Sequence, residues 1–507
     1  MKKRFPWTYP LALLAAVAVL APVVVLFILA KQEDRWIGPQ TSEILVNTLA
    51  LTGLTVLGSV VIGVPLALLT AYAKWPLRRF WLVILAAPLA MPSYIGAFTF
   101  YAAFGPGGEL EKLIGVTLPR LDGLLGTTIV MTLYSYPFVL LTTRAALRGL
   151  DENVVHAART LGLSLPMCLW KIVLPRARNG IAAGALLVAL YTLSDFGTPA
   201  IMQLDTFTRM IFVEYNAFAL GRAAMLSLQL LGIVVLVLVA ESRFGTRREV
   251  SGQCLSLPLG PLGIGLSVLT VLIIFAHAVG LPLLVFGTWL VREGTGDFEW
   301  VIAWHSFKAA GLAAVATVVI AVPVAFAATT GKIGRVLERL TYLGYGLPGI
   351  VLGTALLYVG LKFSFLYQTL ALLVIAYVIR FLPLAVGSVR ALAERLDGNL
   401  FHAARTLGAG PGEIFRRISL PLTTRGMIAG GALVFLEVMR ELPATLLLSP
   451  TGFESLATYL WRVYEAGYFG RAAVPGLLLV VISGLGLAFI LAGEKQVENV
   501  SPRKELP

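Results

Sequence analysis

Long apolar stretches separated by short polar segments follow one another along the whole chain. Each stretch is long enough for a helix of roughly 20 residues to cross the hydrocarbon core of a bilayer. The pattern therefore predicts an all-α polytopic membrane protein with about twelve transmembrane helices. The predicted spans cover residues 9–30, 44–73, 81–104, 123–148, 180–203, 223–241, 259–286, 304–330, 339–361, 366–392, 426–448 and 471–493.

The charge pattern predicts an orientation. Only 13% of the 507 residues are charged, whereas soluble proteins average about 25%. The net charge of +13 comes largely from Lys and Arg in alternate connecting segments, such as 144–178 and 390–425. Because short loops rich in Lys and Arg stay in the cytoplasm, we expect those segments and both termini to be cytoplasmic. The basic excess reports this topology, so we expect contact with the lipid bilayer and none with nucleic acid.

The chain also repeats itself. The heptapeptide HAARTLG at 156–162 recurs letter for letter at 402–408, which is 246 residues later. Six predicted spans separate the copies, so the two six-helix halves form a parallel repeat with one orientation in the membrane. We predict a first half over residues 1–250, with its core repeat at about 44–241, and a second half over 251–507, with its core repeat at about 302–493.

Each HAARTLG copy lies in a cytoplasmic loop of about thirty residues, a length at which loops usually have a function. The sequence of each loop predicts a short helix that ends at Gly162 or Gly408, because glycine adopts the positive φ of a helix end at no steric cost. A second short helix follows. We expect Pro175 and Pro421 to stop that second helix before the next span begins.

The spacing A-A-x-x-x-G-x9-I-x-L-P occurs in both loops. It resembles the coupling loop of permease subunits of bacterial type I, binding-protein-dependent ABC importers, except that His stands where that family usually has Glu. The resemblance implies the type I ABC importer permease fold and a loop that docks into a groove on a separate ATPase. The matching positions and the two histidines are His156, Ala157, Ala158, Gly162, Ile172, Leu174, Pro175, His402, Ala403, Ala404, Gly408, Ile418, Leu420 and Pro421.

Two such loops imply two copies of a cytoplasmic ABC ATPase subunit, one for each half. ATP and Mg would bind to that partner, because the chain has no G-x-x-x-x-G-K-[ST] motif; TTGKIG at 329–334 lacks the upstream glycine. The four histidines have no metal-ligand spacing. We therefore expect a transport subunit without a cofactor or a structural metal of its own, and not an enzyme.

Ionisable side chains within the spans are candidates for the translocation pathway, because charge at bilayer depth is costly. Asp195 and Glu441 occupy equivalent positions in the fifth span of each half, and Glu437 precedes Glu441 by one helical turn. Arg380 and Arg440 are candidates for pairing with these acids. Two interpretations stay open: buried ion pairs that fix helix packing, or an oxygen-rich pathway for a hard cation, which carboxylates suit.

The segments SDFGTP at 194–199 and MRELPATLLLSPTGFESLATYLW at 439–461 look like the fused permeases of iron(III) ABC importers. This resemblance covers nearly the whole chain. It implies that a periplasmic binding protein delivers ferric ion to a permease in the bacterial inner membrane, and that the partner ATPases drive import. Thiamine, a polyamine or a phosphonate would be a cargo of the same transporter class, and an ion-coupled secondary transporter is the rival from another class.

Overall fold

A computed structural model describes residues 7–31, 39–74, 77–148, 152–243, 257–258, 260–295 and 298–500. The predicted boundary between the halves, at residues 250 and 251, lies outside these ranges. The helices of the first half are α1 (Thr8–Ala30), α2 (Pro39–Tyr72), α3 (Arg78–Ala90), α4 (Ser93–Ala103), α5 (Glu109–Ile114), α6 (Gly123–Arg148), α7 (Glu152–Thr160), α8 (Leu165–Cys168), α9 (Leu174–Ser194), α10 (Gly197–Ile201), α11 (Phe207–Asn216) and α12 (Leu220–Arg243).

The second half has a similar order of elements. Its helices are α13 (Pro261–Phe275), α14 (Leu281–Glu293), α15 (Trp300–Thr329), α16 (Lys332–Gly346), α17 (Gly349–Lys362), α18 (Leu370–Ala393), α19 (Gly398–Thr406), α20 (Pro411–Ile414), α21 (Leu420–Met439), α22 (Pro443–Leu448), α23 (Leu456–Glu465) and α24 (Ala473–Val500). α13 and α14 take the place of α1, and among the described residues no helix takes the place of α5. Short π-helical segments cover Leu169–Val173, Ala276–Gly280 and Phe415–Ser419, and a 3₁₀ turn covers Phe469–Ala472.

The all-α membrane architecture is confirmed. Within the described residues, 10 helical stretches are long and apolar enough to cross a membrane, and two bent pairs raise the number to 12 when each counts as one span. The bent pairs correct the prediction of straight helices over 81–104 and 339–361. α3 and α4 meet at 86°, and α16 and α17 meet at 101°. Pro92 and Pro348 cause the breaks, since proline lacks an N–H and forces the preceding residue into an extended conformation.

The Leu-Pro pairs do not stop the second short helices, so that prediction is wrong. α8 continues through Leu169–Val173 into α9, and the backbone N–H of Leu174 bonds to the carbonyl five residues earlier. This widened turn already interrupts the usual helical hydrogen bonding, so Pro175, which lacks an N–H, fits at the start of α9. The second half repeats the arrangement with Phe415–Ser419 and Pro421.

The first helix of each half packs against the other half. α1 contacts α15, α16 and α17 as well as α12, while α14 contacts α4 and α24. The hydroxyl groups of Tyr9 and Thr330 lie 2.9 Å apart, and Tyr134 donates a hydrogen bond of 2.7 Å to the carbonyl of Ala278. Because each half holds a helix of the other, the two halves form one interlocked unit.

The central helices of each half pack closely through glycine. α6 lies against α2 and α9, and α18 lies against α15 and α21. A Cβ on Gly184 would lie 2.7 Å from the Cα of Val139, and one on Gly430 would lie 2.8 Å from the Cα of Ala385. The two glycines are equivalent in the repeat. Small residues of this kind let membrane helices approach each other at backbone distance.

A two-residue parallel bridge marks the start of the second half. β1 (Ala73–Lys74) follows α2 and pairs with β2 (Leu257–Pro258). The hydroxyl of Tyr72 donates to the carbonyl of Leu147, 3.1 Å away, at the end of α6. Since α7 follows α6 directly, α13 starts at the surface that carries the HAARTLG segments, and α14 ends at the opposite surface.

Candidate functional site: a cavity between the halves and two exposed helical segments

Side chains from both halves line a cavity of about 120 Å³. The structure brings all the predicted pathway residues together there, and their role in translocation stays a prediction. α9 carries the chain roughly 30 Å from the HAARTLG surface to this cavity. The predicted residues that line it are Asp195, Arg380, Glu437, Arg440 and Glu441.

Two breaks in the helical backbone position the central acids. α9 ends at Ser194 and α21 ends at Met439, and the short helices α10 and α22 follow. One carboxylate oxygen of Asp195 accepts the backbone N–H of Thr198 at 3.3 Å. Glu441 accepts the N–H of Ala444 at the same distance. Each acid therefore caps the first turn of the next short helix, which is where a carboxylate stabilises orphan N–H groups.

Two ion pairs occupy the half of the cavity contributed by the second repeat. Arg380 Nη1 lies 3.0 Å from Glu441 Oε1, and Arg440 pairs with Glu437. Arg440 Nη1 also donates to the carbonyls of Leu89 at 3.3 Å and Ala90 at 3.0 Å. Those carbonyls are unpaired within α3 because the helix breaks there. The interpretation as buried ion pairs therefore has direct geometric support, and one of them ties the halves together.

Asp195 has different partners. The hydroxyl of Ser93 donates to its carboxylate, and the hydroxyl of Thr198 donates at 2.8 Å. Among the residues that the structure describes, no Lys or Arg forms an ion pair with Asp195. Within the described residues its carboxyl group is therefore held by neutral donors alone.

The bend between α3 and α4 supplies further lining residues, and the bend between α16 and α17 brings Gly349 next to Arg380 and Glu441. Ser93 is the first residue of α4 and Gly349 the first of α17, so two positive helix ends lie beside the acids. A Cβ on Gly349 would collide with the side chains of Arg380 and Glu441. A side chain at this position would therefore displace the ion pair from its present arrangement.

Several lining residues were not predicted. Tyr191 and Ser194 occupy the positions equivalent to Glu437 and Arg440 in the repeat, so the repeat spacing could have identified them. Ser93 and Tyr94 reach the cavity through the bend after α3. The sequence around the acids gave no indication of this bend. The hydroxyl of Tyr94 is buried without a hydrogen-bond partner within the described part of the chain. It is an oxygen donor available to a solute in the cavity.

The two HAARTLG segments fold identically. α7 and α8 have the same boundaries as α19 and α20 at a spacing of 246 residues. Gly162 and Gly408 have φ angles of +90° and +84°, as the prediction of a glycine helix end requires. Ala158 and Ala404 are buried. The residues of the motif that are exposed are His156, Ala157, Gly162, Pro175, His402, Ala403, Gly408 and Pro421, while Ile172, Leu174, Ile418 and Leu420 are half-buried.

One exposed apolar side chain in each segment escaped the sequence analysis. Leu161 is 82% exposed and Leu407 is 87% exposed, and both precede the turn glycine of their own segment by one residue. The two leucines occupy equivalent positions of the repeat.

The sequence profile of the binding-protein-dependent transport system inner membrane component matches residues 63–245 and 317–497. The chain belongs to this family of permeases. The prediction from the HAARTLG segments is therefore confirmed at the level of family and fold, including the occurrence of the domain in each half.

Several relatives of the permease have names that state a cargo. It is 31% identical to a Fe(3+)-transport system permease protein of Haemophilus influenzae, over 90% of this chain and 91% of the relative. It is 21% identical to the ferric transport system permease protein of Actinobacillus pleuropneumoniae, over 91% of this chain and 73% of the relative. A molybdenum transport system permease protein of Mycobacterium tuberculosis is 32% identical, over 36% of this chain and 74% of the relative.

The acids of the permease do not form a preassembled metal site. Within its described residues, no group of three or more His, Cys, Asp or Glu side chains has a geometry that could hold a metal ion. Asp195, Glu437 and Glu441 each have separate partners instead. A cation in the cavity would therefore have to exchange with hydroxyl or guanidinium groups that now occupy the carboxylates.

Proposed function

We propose that this permease forms the membrane pathway of an ATP-driven importer that moves ferric iron into the bacterial cytoplasm. The observation that carries the proposal is the convergence of Asp195, Glu437 and Glu441, from both halves, on one cavity. The near full-length relative named as a Fe(3+)-transport permease supports iron as the cargo. In this proposal a periplasmic binding protein delivers the ion to the face opposite the HAARTLG segments.

The chemistry of the cavity suits transient passage of a hard cation. Carboxylate oxygens are preferred by hard cations, and the hydroxyl groups of Ser93, Tyr94 and Tyr191 add neutral oxygen donors. Three acids face two arginines, so the cavity attracts positive charge. Passage requires binding that is strong enough for entry and weak enough for release. Carboxylates that already have exchangeable partners meet this requirement better than a closed metal site.

The energy would come from two copies of a cytoplasmic ABC ATPase, which would bind ATP and Mg. Each copy would receive one HAARTLG segment, with Leu161 or Leu407 as its apolar anchor. The π-helical turns join α8 to α9 and α20 to α21 without a flexible link. A displacement of the docked segment would therefore move the helices that end at Asp195 and at Arg440. In this proposal both termini are cytoplasmic and the chain lies in the bacterial inner membrane.

A second candidate cargo is an oxyanion such as molybdate. The molybdenum permease relatives and the presence of Arg380 and Arg440 in the cavity favour it. Arginine binds oxyanions through paired N–H groups. The two arginines are already engaged by acids, however, which favours the cation.

Uptake measurements in cells that lack this chain test the proposal. The cells would be supplied with radioactive ferric iron, molybdate, thiamine, spermidine or a phosphonate, with and without the plasmid-borne permease. We expect the permease to restore ferric iron uptake alone. We expect Asp195→Asn to reduce the initial rate more than about tenfold, because the charge rather than the shape is lost. The exposed Asp122→Asn is the matched control and should transport normally.

Restoration of molybdate or organic solute uptake without iron uptake would contradict the iron cargo and leave the family assignment intact. Normal iron uptake by Asp195→Asn would contradict the role of the cavity and leave the cargo intact. Copurification of an ATPase with the solubilised permease tests the energy source separately. Its dependence on Leu161 and Leu407 tests the docking surface.

A further inference from the structure

A second cavity, of about 410 Å³, lies where the halves meet at the surface opposite the HAARTLG segments. The first half contributes the end of α4, the turn that follows it, Glu109 and Lys112 of α5, and Arg120. The second half contributes the end of α14 and the turn at Gly467–Arg471. Among the described residues, the two cavities share no lining residue. The larger cavity is therefore distinct from the one that holds Asp195 and Glu441.

Basic side chains outnumber acidic ones around this cavity. The basic residues are Lys112, Arg120, Arg292 and Arg471, and the acidic residues are Glu109 and Glu293. Lys and Arg are normally scarce on the non-cytoplasmic side of membrane proteins. Four of them around one cavity at that side, with an excess of two positive charges, point to a negatively charged ligand.

Glu109 organises part of this basic lining. Its carboxylate is 4% exposed and lies 2.8 Å from Lys112 Nζ and 3.1 Å from Arg292 Nη1. A guanidinium has five N–H donors, so the contact through Nη1 does not exhaust Arg292. The guanidinium of Arg120 lies over the ring of Tyr101, 5.5 Å from its centre. These contacts hold two arginines in place while leaving donors for oxygen atoms of a ligand.

A shallow, open apolar groove adjoins the cavity on the outer face of α14. Leu283, Leu284 and Val291 line its sides, Gly287 leaves space in the middle, and Arg292 lines both groove and cavity. Nine residues separate Leu283 from Arg292, which corresponds to about 14 Å of helix. One leaflet contributes half of the roughly 30 Å hydrocarbon thickness, so the groove is as long as one leaflet is thick.

We propose that the permease binds an anionic phospholipid at this place, with the phosphate in the basic cavity and one acyl chain in the groove. Arginine side chains bind phosphate through paired, charge-assisted hydrogen bonds. Basic pockets between membrane helices recognise anionic headgroups for this reason. The continuity of the groove with the cavity through Arg292 selects a lipid over a free phosphate, which would need no apolar groove.

Native mass spectrometry of the full-length permease in detergent tests the proposal. The protein would be titrated with phosphatidylglycerol or phosphatidylcholine that carry the same acyl chains. We expect phosphatidylglycerol to bind at least about tenfold more tightly. Gly287→Phe should weaken it by a similar factor, because an added side chain meets no atom within 4 Å and fills the groove. Gly265→Phe, also at an open position, is the matched control and should bind as wild type.

The headgroup contacts need separate variants. Arg120→Gln and Arg292→Gln should each weaken phosphatidylglycerol binding and leave phosphatidylcholine binding unchanged. Arg120→Gln keeps the Glu109 ion pairs, so it tests the contact without disturbing them. Equal affinity for the two lipids would overturn the proposal, as would wild-type binding by Gly287→Phe. Loss of affinity for an acidic soluble partner, with lipid binding unchanged in the arginine variants, would overturn it in favour of a protein-docking surface.

Discussion

Asp195 and Glu441 are equivalent residues of the two halves, yet only Glu441 has a basic partner. Glu441 pairs with Arg380 at 3.0 Å, whereas Asp195 accepts a hydrogen bond from Ser93. The difference arises in the neighbouring helix, because the first half has Tyr134 at the position equivalent to Arg380. The cavity between two halves of similar fold therefore has one side with an acid–arginine pair and one side where the acid is held by neutral donors.

Arg380 and Glu441 should each stabilise the fold only while the other member of their ion pair is present. The side chains are 14% and 6% exposed, and removing one partner of a buried pair costs about 3–5 kcal/mol because the other charge stays buried. We expect Arg380→Met to lower the free energy of unfolding by this amount and Arg380→Met with Glu441→Gln to recover most of it. Denaturant unfolding of the purified permease in detergent measures both.

The matched control for that pair is Arg417→Met on the surface. Arg417 and Glu413 are 75% and 44% exposed, and such pairs contribute about 0–1 kcal/mol. Equal destabilisation by the single and double variants in the cavity would contradict the interpretation as a coupled ion pair.

Glycine at position 349 should be essential for the same ion pair. The Cβ of Gly349→Ala would collide with Arg380 and Glu441, and such overpacking costs about 1–3 kcal/mol. Gly311→Ala in α15 is the control, since no atom lies within 4 Å of its added Cβ. That control should stabilise the helix by about 0.5–1 kcal/mol. Thermal unfolding of the two variants should shift in opposite directions, and parallel shifts would refute the steric argument.

The leucines of the HAARTLG segments should act in docking and not in folding. Leu161→Asp and Leu407→Asp remove side chains that are 82% and 87% exposed, and surface substitutions usually stay within about 0.5 kcal/mol. We expect unchanged unfolding and loss of the copurified ATPase, most completely in the double variant. Leu113→Asp, at an exposed leucine outside these segments, should retain the ATPase. Retention of the ATPase by the double variant would exclude these leucines as anchors.

The cluster around Glu109 predicts a pH dependence of stability. Burial raises the pKa of the Glu109 carboxyl, but hydrogen bonds from Lys112 and Trp289 and the charges of Lys112 and Arg292 outweigh this, so the pKa is lowered. The unfolded chain then binds the proton more readily than the folded one. The stabilisation is therefore fully present above the ordinary pKa of 4.5 and is lost as the pH falls through the lowered value.

Glu109→Gln isolates this contribution. The variant should lower the free energy of unfolding by about 1.5–3 kcal/mol at neutral pH, the range for hydrogen bonds to charged groups. The difference between wild type and variant should shrink as the pH falls below 4.5. Thermal unfolding of both proteins across this range measures it, and a difference that does not depend on pH would contradict the assignment.

The sequence by itself determined the elements and the repeat. Apolar stretches of bilayer length left no soluble alternative, and the 246-residue spacing predicted equivalent helices whose boundaries in α7 and α19 agree residue for residue. It also predicted that Asp195 and Glu441 occupy equivalent places, because they are separated by the same 246 residues as the two HAARTLG copies. These are short-range consequences of hydrophobic period, glycine and charge.

Only the tertiary structure decided how the elements meet. The bends at Pro92 and Pro348 are set by packing. Arg440 contacts the carbonyls at the end of α3, and α1 and α14 pack against the opposite half, so residues hundreds of positions apart meet. A proline in the sequence can kink, end or start a helix, and packing selects among these outcomes. Ser93 reaches the cavity through the bend at Pro92, and Gly349 lies next to Arg380 and Glu441 through the bend at Pro348; no local pattern specifies these approaches.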